Sequence, residues 1–332
     1  MPFVATLENA VPPGDIETSG SFGPWSSATP GQTPLDGRFT FAHADLGVFK
    51  GISGILSARG DFGGTLERID IHGETDTPDF TVTAGGHPMP LHATYDATVD
   101  GTNGNTVLHQ IDASFLQTSL VAKGGVVGTP GIHGRTVRLD VVMDQARLED
   151  VLQMAVKGPQ PPMTGALTLR TTFVLPPGDR DVVEKLVLDG TFAIADTRFT
   201  NHDVQRRINE LSHRTRGQHA GHQTETVSSQ FAGAFKLANG RLDLADLTFD
   251  VPGAAIRLSG SYGLASERIA FAGTAFTDAK ISEMTTGVTS QLLKPVDLLF
   301  NKNGGSAIPI AIAGTRSSPS FGLDKGRVLK RQ

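Results

Sequence analysis

The fold class of this chain follows from the stretch VPGAAIRLSGSYGLASERIAFAGT, residues 251–274. Its apolar and glycine positions recur at every second residue on both sides of a short turn: Ile256, Leu258, Gly260 and Tyr262, then Ile269, Phe271 and Gly273. Arg257, Ser259 and Arg268 occupy alternate positions. A period of two gives a β-strand one apolar and one polar face. The stretch therefore predicts two strands of a sheet, and the functional question is what their apolar face contacts.

The same alternation continues through most of the chain, and it is often opened by Gly-x-Phe or Gly-x-Tyr. Six such pairs open an alternating segment: Gly20/Phe22, Gly37/Phe39, Gly60/Phe62, Gly190/Phe192, Gly233/Phe235 and Gly260/Tyr262. Both residues of such a pair lie on one face of a strand, so the ring can cover the bare glycine backbone. Long sheets twist, and glycines and bulges curl them. We therefore expect a mainly β chain with one long, strongly curled sheet.

Three stretches depart from this pattern. Residues 146–156 and 201–217 predict short helices, and residues 279–300 are helix-like up to Pro295. The polar stretch 217–230 predicts a mobile loop. We expect a single region over residues 1–332. Its parts are an irregular lead-in (1–34), a first run of strands (35–200), a helix with the loop (201–230), and last strands with a helical cap (231–332).

The composition of the chain argues against nucleic acid and polysaccharide as binding partners. The 332 residues carry a net charge of −5 without a dense Lys/Arg cluster, which argues against nucleic acid. Phe occurs 18 times against two Tyr and one Trp, whereas polysaccharide-binding faces favour Tyr and Trp. The chain has no cysteine, so disulfides and thiolate chemistry are excluded. We find no signal peptide at the start, and the longest apolar runs are far short of the roughly 20 residues of a membrane span.

Familiar catalytic motifs are missing from the sequence. Neither Gly-x-Gly nor Gly-x-Ser-x-Gly occurs, which excludes a dinucleotide fingerprint and a nucleophile elbow. The loop that starts at Asp100 resembles a calcium loop, but Thr102 and Ile111 stand where ligands are needed, so a hairpin turn is favoured. His213, His219 and His222 form the only local histidine cluster. Their spacing matches no metal-site pattern and favours a polar loop.

Carboxylate pairs are the remaining catalytic candidates: Asp76 with Asp79, Asp140 with Asp144, and Glu149 with Asp150. A glycosidase needs two carboxyl groups that face each other at roughly 5 to 10 Å, and such a pair can be distant in sequence. Solvated faces and helix caps are the commoner explanation for neighbouring acids. We predict a non-enzyme without a catalytic residue, cofactor or metal.

Several longer stretches are similar to the C-terminal region of AsmA-like proteins of Gram-negative-type bacteria. They are FGPWSS (22–27), the segment ADLGVFKGISGILSARGDFGGTLERIDIHGETDTPDFTV (44–82), GGHPMPL (85–91), DATVDGTNGNT (96–106), DTRFTNHDVQRRINELSHR (196–214), VPGAAIRLSGSY (251–262) and PIAIAGTRSSPSFGLD (309–324). The resemblance implies a long, curled sheet that forms an open groove with an apolar interior. Larger members are anchored in the inner membrane by an N-terminal helix, bridge the periplasm and support phospholipid transport. This sequence lacks the anchor, so we expect a fragment of that plan.

The resemblance directs the functional expectation to the apolar faces. We expect the groove to be lined by Phe39, Phe62, Phe192, Phe235, Ile256, Leu258, Tyr262, Ile269 and Phe271. The expected function is a non-enzymatic periplasmic module that shields or conducts phospholipid acyl chains between the inner and outer membranes. Inner-membrane or outer-membrane assembly proteins are further candidate partners.

Three alternatives stay open. Alternating strands also pack face to face in the closed core of a β-sandwich. A scaffold could regulate outer-membrane protein assembly through its sheet edge or through the helix at 201–217. A secreted carbohydrate-active β-protein would place opposed carboxylates in a cleft lined by Trp25, Tyr95 or Tyr262.

Overall fold

The computed structural model describes residues 1–215, 227–277, 301–302, 305–315 and 318–323. Strands dominate these residues, and the three α-helices among them are short: α1 (Leu148–Ala155), α2 (Val182–Lys185) and α3 (His202–Thr215). The expected mainly β class with a few short helices is therefore confirmed. The chain divides into two compact units.

Unit 1 comprises Met1–Pro159 and Thr168–Leu188. Its strands are β1 (Pro2–Ala10), β2 (Pro13–Phe22), β3 (Pro34–Asp45), β4 (Ile52–Ser53), β5 (Ile55–Thr65), β6 (Arg68–Val82), β7 (Met89–Val99), β8 (Thr106–Phe115), β9 (Thr118–Gly128) and β10 (Arg135–Arg147). From β1 to β10 each long strand pairs antiparallel with the next, and the short β4 pairs with β6. Such a meander brings residues that are distant in sequence into rows across the sheet.

Unit 2 comprises Gln160–Leu167 and Asp189–Gln332. Its described strands include β13 (Ser229–Ala238), β14 (Arg241–Val251), β15 (Ala254–Gly263), β16 (Arg268–Thr277), β17 (Asn301–Lys302), β18 (Gly305–Thr315) and β19 (Ser318–Leu323). These again form an antiparallel meander in which β16 pairs with β18. β11 (Met163–Leu175) and β12 (Val187–Phe199) contribute residues to both units.

The first 34 residues correct one expectation. They were predicted to be irregular, but β1 and β2 form a hairpin in which all nine residues of β1 pair with β2. Large apolar residues are sparse in β1 and β2, which also contain Gly, Pro and Glu, and this composition hides the period of two. Tertiary pairing with β3 overrides this weak local pattern.

Two helix predictions are confirmed. The stretch 146–156 contains α1, although Ala146 and Arg147 still belong to β10, and the stretch 201–217 contains α3. The sequence did not indicate α2, which is a single turn capped by Asp181 through a 2.8 Å bond from the Val183 N–H. The predicted helix at 279–300 and most of the predicted loop, residues 217–226, lie outside the described residues.

Aromatic rings cover glycines, but across strands. A Cβ added at Gly60 would lie 2.9 Å from the Phe39 ring, and one at Gly37 would lie 2.7 Å from the Phe62 ring. In the antiparallel pair of β3 and β5, Gly37 lies opposite Phe62 and Phe39 lies opposite Gly60. Each ring therefore covers the glycine of the other strand. The prediction placed this contact within one strand. Directly opposed residues are closer than neighbours two apart on one strand, which explains the difference.

Within the described residues, register shifts interrupt six strand pairs and confirm the expected bulges. His43 and Asp246 sit at two of these shifts with φ of 57° and 51°. Bulges bend a strand and increase its local twist.

Candidate functional site

The register gathers the predicted residues of unit 1 on one face. Phe39 belongs to a row that runs across the sheet from Ala5 and Thr18 through Phe39, Gly60, Gly73, Tyr95, Ile111, Ala122 and Val141. Phe62 belongs to a neighbouring row on the same face, with Gly20, Gly37, Ile71, Ala97, Leu108, Gly124 and Leu139. We call these two rows the apolar face of unit 1.

Unit 2 has an equivalent surface. One row joins Phe235, Leu244, Gly260, Phe271 and Ile312. Ile256, Leu258 and Tyr262 share the parity of Gly260 along β15, and Tyr262 pairs with Ile269. The ring centroid of Phe192 lies 6.2 Å from that of Phe235. These residues form the apolar face of unit 2.

Most large side chains of both faces are half-buried, although Leu237 and Phe249, which lie in rows with Tyr262 and Ile256, are 7% exposed. Half-burial holds for all nine predicted lining residues: Phe39, Phe62, Phe192, Phe235, Ile256, Leu258, Tyr262, Ile269 and Phe271. In unit 1 the buried members of the apolar face are small, with Ala97 at 4% and Ala122 at 3% exposure. The closed core of a sandwich would bury its largest residues instead. The nine predicted lining residues are therefore not packed as in such a core.

Tight packing in unit 1 is concentrated where α1 meets the strand ends. Met89, Phe115 and Leu148 are at most 5% exposed there. The buried Asp150 accepts bonds at Oδ2 from the Gln117 N–H (3.0 Å) and the Thr118 hydroxyl (2.9 Å). A carboxylate in the first turn of a helix also interacts favourably with the helix dipole. Asp150 thereby fastens α1 to the β8–β9 turn.

In unit 2, α3 closes one end of the apolar face. Ile208 packs against a buried cluster of Phe249, Val251 and Ala254, which also contacts Phe199, Phe231 and Ile256. The Ser212 hydroxyl donates to the Pro252 carbonyl at 2.7 Å. The Phe231 and Phe249 ring centroids are 4.6 Å apart. Packing and a hydrogen bond thus hold α3 at this end.

In unit 1, the connection between β3 and β5, residues 46–54, lies against the apolar face. Gly54 follows β4, and a Cβ added there would lie 2.8 Å from Thr77, which shares the face of Ile71. The same connection reaches the segment between β11 and β12, because the Val182 N–H donates to the Lys50 carbonyl at 2.7 Å. The beginning of that segment lies beside β10, since a Cβ added at Gly134 would be 2.8 Å from Pro177.

The opposite face of unit 1 is polar and carries cross-strand ion pairs. His72 pairs with Asp96, and His92 Nδ1 lies 2.8 Å from Asp76. The hydrogen bond to Asp96 raises the pKa of His72 above its ordinary value of 6.5. The Thr98 hydroxyl bond lowers the pKa of the Asp70 carboxyl. These groups are solvent-exposed, so they favour a hydrated outer surface.

We expect the His72 pKa, followed by NMR titration of the imidazole, to fall back towards its ordinary value in Asp96→Asn. The raised pKa means that the folded state binds the proton more tightly. His72 therefore adds stability below the unfolded pKa, and this contribution is lost as pH rises through the folded pKa. An unchanged His72 titration in the variant would contradict the pairing.

The catalytic candidates all have structural partners. Asp79 accepts the Ile55 N–H at 2.9 Å, Asp140 accepts the Thr172 hydroxyl, Asp144 pairs with Arg170, and Glu149 pairs with Arg147. Asp100 accepts from Thr102 and Asn103 in the β7–β8 turn, which confirms the hairpin and lowers the Asp100 pKa. His219, His222 and the side chain of His213 lie outside the described residues.

The polar face of unit 2 holds a shallow pocket of about 380 Å³ that the sequence did not indicate. Its lining includes Asp246, Thr248 and Thr274, and Arg257 lies 5.7 Å from the Phe276 ring centroid. The residues come from three strands and share no local motif, so only the register brings them together.

Comparisons with known proteins find no relative: no family model, no curated protein and no solved structure matches the chain. None of the helices in the described residues is long and apolar enough to cross a membrane. In the same part of the chain, no three His, Cys, Asp or Glu side chains group as metal ligands would.

Proposed function

We propose that the apolar faces shield phospholipid acyl chains, and that the chain is a non-enzymatic, AsmA-like periplasmic module serving transport between inner and outer membranes. The observation that carries this proposal is the half-burial of every large residue predicted to line the groove. An exposed apolar face of this extent usually marks a binding site for an apolar partner. Acyl chains are apolar and could shield this face from water.

The curl of unit 1 supports a groove. In a flat sheet, the end of β3 and the start of β10 would lie about 50 Å apart at the usual strand spacing and rise. The segments from Asp45 to Lys50 and from Pro177 to Val182 span at most about 36 Å together when fully extended. Their hydrogen bond therefore supports a strongly curled sheet. Gly54 lies against Thr77 on the apolar face. Such a curl would therefore place the connection between β3 and β5 over the apolar face of unit 1.

The chemistry of the faces suits a sliding ligand. At about 0.8 kcal/mol per CH₂, a lipid with about 30 methylenes would cost on the order of 24 kcal/mol to expose to water. A lining of similar Phe, Leu, Ile and Val side chains shields those methylenes without one deep minimum. Lipid chains could then shift along the face at small cost.

The test is native mass spectrometry with lipid extraction of protein purified gently from a diderm host. We expect bound phospholipid, and we expect the pair Leu258→Asp and Phe271→Asp to remove most of it, because a carboxylate on the apolar face repels acyl chains. The matched control is Ser259→Asp with Ala270→Asp, which places the same charges on exposed neighbours of the opposite face. Lipid-free wild-type protein, or equal lipid loss in both pairs, would overturn the proposal.

A protein-binding scaffold is the second candidate, and β1 favours it. In the described part of the chain, β1 pairs only with β2, which leaves its other edge open to a further strand. The carbohydrate hypothesis gains no such support. Trp25 stacks on Phe22 in a connection, and the Tyr95 hydroxyl lies against Gly73.

A further inference from the structure

Among the described residues no strand pairs with the second edge of β1, which we call the free edge, and this edge carries defined hydrogen-bonding groups. Met1 and Phe22 exchange both backbone bonds, at 2.7 and 2.9 Å, so they form a hydrogen-bonded pair. Such pairs alternate along an antiparallel ladder, and β1 has no register shift. Phe3, Ala5 and Leu7 therefore turn their backbone groups to β2. The even-numbered residues, among them Val4, Thr6 and Glu8, turn theirs to the free edge.

This edge lacks the devices that usually prevent strand addition. β1 has nine residues, a single charge at Glu8, and proline only at its first position. Val4 is 87% exposed and Leu7 is 54% exposed. By contrast, β19 has six residues with Pro319 among them. A long, nearly uncharged edge without a register shift is suited to bind another strand of similar composition.

We propose that β1 pairs antiparallel with β1 of a second copy of this chain, about a two-fold axis at Ala5. Val4 then faces the copy's Thr6, and their edge-directed N–H and C=O groups bond in both directions. Phe3 faces the copy's Leu7, so the apolar faces of the two copies continue into each other. Glu8 faces Pro2, and no like charges are opposed. This self-complementarity favours a second copy over a charged peptide.

A single cysteine tests the axis, because the chain contains none. In this pairing the two Ala5 residues form a non-hydrogen-bonded pair with Cα atoms about 4.5 Å apart, within disulfide range. We expect Ala5→Cys to form a covalent dimer under mild oxidation, and Thr40→Cys, exposed on the polar face of β3, to remain mostly uncrosslinked. Equal crosslinking of the two variants would overturn the proposal.

Charge changes test the register in solution. Sedimentation velocity of the wild type should show a concentration-dependent dimer. Val4→Lys with Thr6→Lys opposes lysines across the axis and should raise the dimer Kd about tenfold or more. Val4→Lys with Thr6→Glu places opposite charges across the axis and should restore the dimer.

Both positions are exposed, so circular dichroism and the denaturation midpoint should stay unchanged in these variants. A wild type that is monomeric throughout, pairs only with a strand of another protein, or dimerises undiminished with both lysines would refute this pairing.

Discussion

Phe249→Ala is expected to destabilise unit 2 by about 3–5 kcal/mol, the usual cost of removing a buried phenylalanine. The Phe249 side chain is 7% exposed, and its ring contacts Phe231 in the cluster that holds α3. Its loss leaves a cavity that the surrounding strands cannot close. The measurement is the denaturant midpoint of the transition in which unit 2 unfolds.

Ile269→Ala is the control for this prediction. Ile269 lies on the same apolar face but is half-buried, so its truncation should cost clearly less. The comparison also bears on function. If Ile269→Ala were as destabilising as Phe249→Ala, the apolar face would behave as a closed core, and little of it would be left to receive a lipid.

Asp150→Ala is expected to cost unit 1 about 2–5 kcal/mol, because it leaves two donors without their acceptor. These are the Gln117 N–H and the buried Thr118 hydroxyl. The Thr118 oxygen in turn accepts the Arg147 N–H at 3.0 Å, so the end of β10 loses support as well. Thermal or denaturant unfolding of unit 1 measures the loss.

Asp150→Asn separates hydrogen bonding from charge. Both donors reach a single carboxylate oxygen, and the amide oxygen of asparagine can occupy the same place. We expect this variant to retain most of the stability that Asp150→Ala loses. If Asp150→Asn were equally unstable, the negative charge at the start of α1 would be the main stabilising factor.

The buried side chains that stabilise unit 1 and unit 2 lie in similar places. In each, buried side chains gather where a short helix meets the strand ends, and the residues predicted to line the groove are half-buried. Such a division leaves the face accessible while the ends hold the fold. It accords with a protein that must expose apolar surface without unfolding.

Local patterning was enough for much of the fold. The period of two in residues 251–274 correctly indicated β15 and β16, and helical spacing indicated α1 and α3. It failed for β1 and β2, where apolar positions are sparse, and for α2, which is too short to carry a pattern. For the candidate site, parity correctly grouped Ile256, Leu258 and Tyr262 on one face.

The sequence by itself determined most of the strands and which of their residues share a face, because side-chain direction alternates along a regular strand. The tertiary structure alone decided which strands are neighbours, and hence that Phe39 covers Gly60, that Lys50 meets Val182, and that Asp150 holds the β8–β9 turn. These contacts join residues far apart in the chain, and their register depends on bulges that no local pattern specifies.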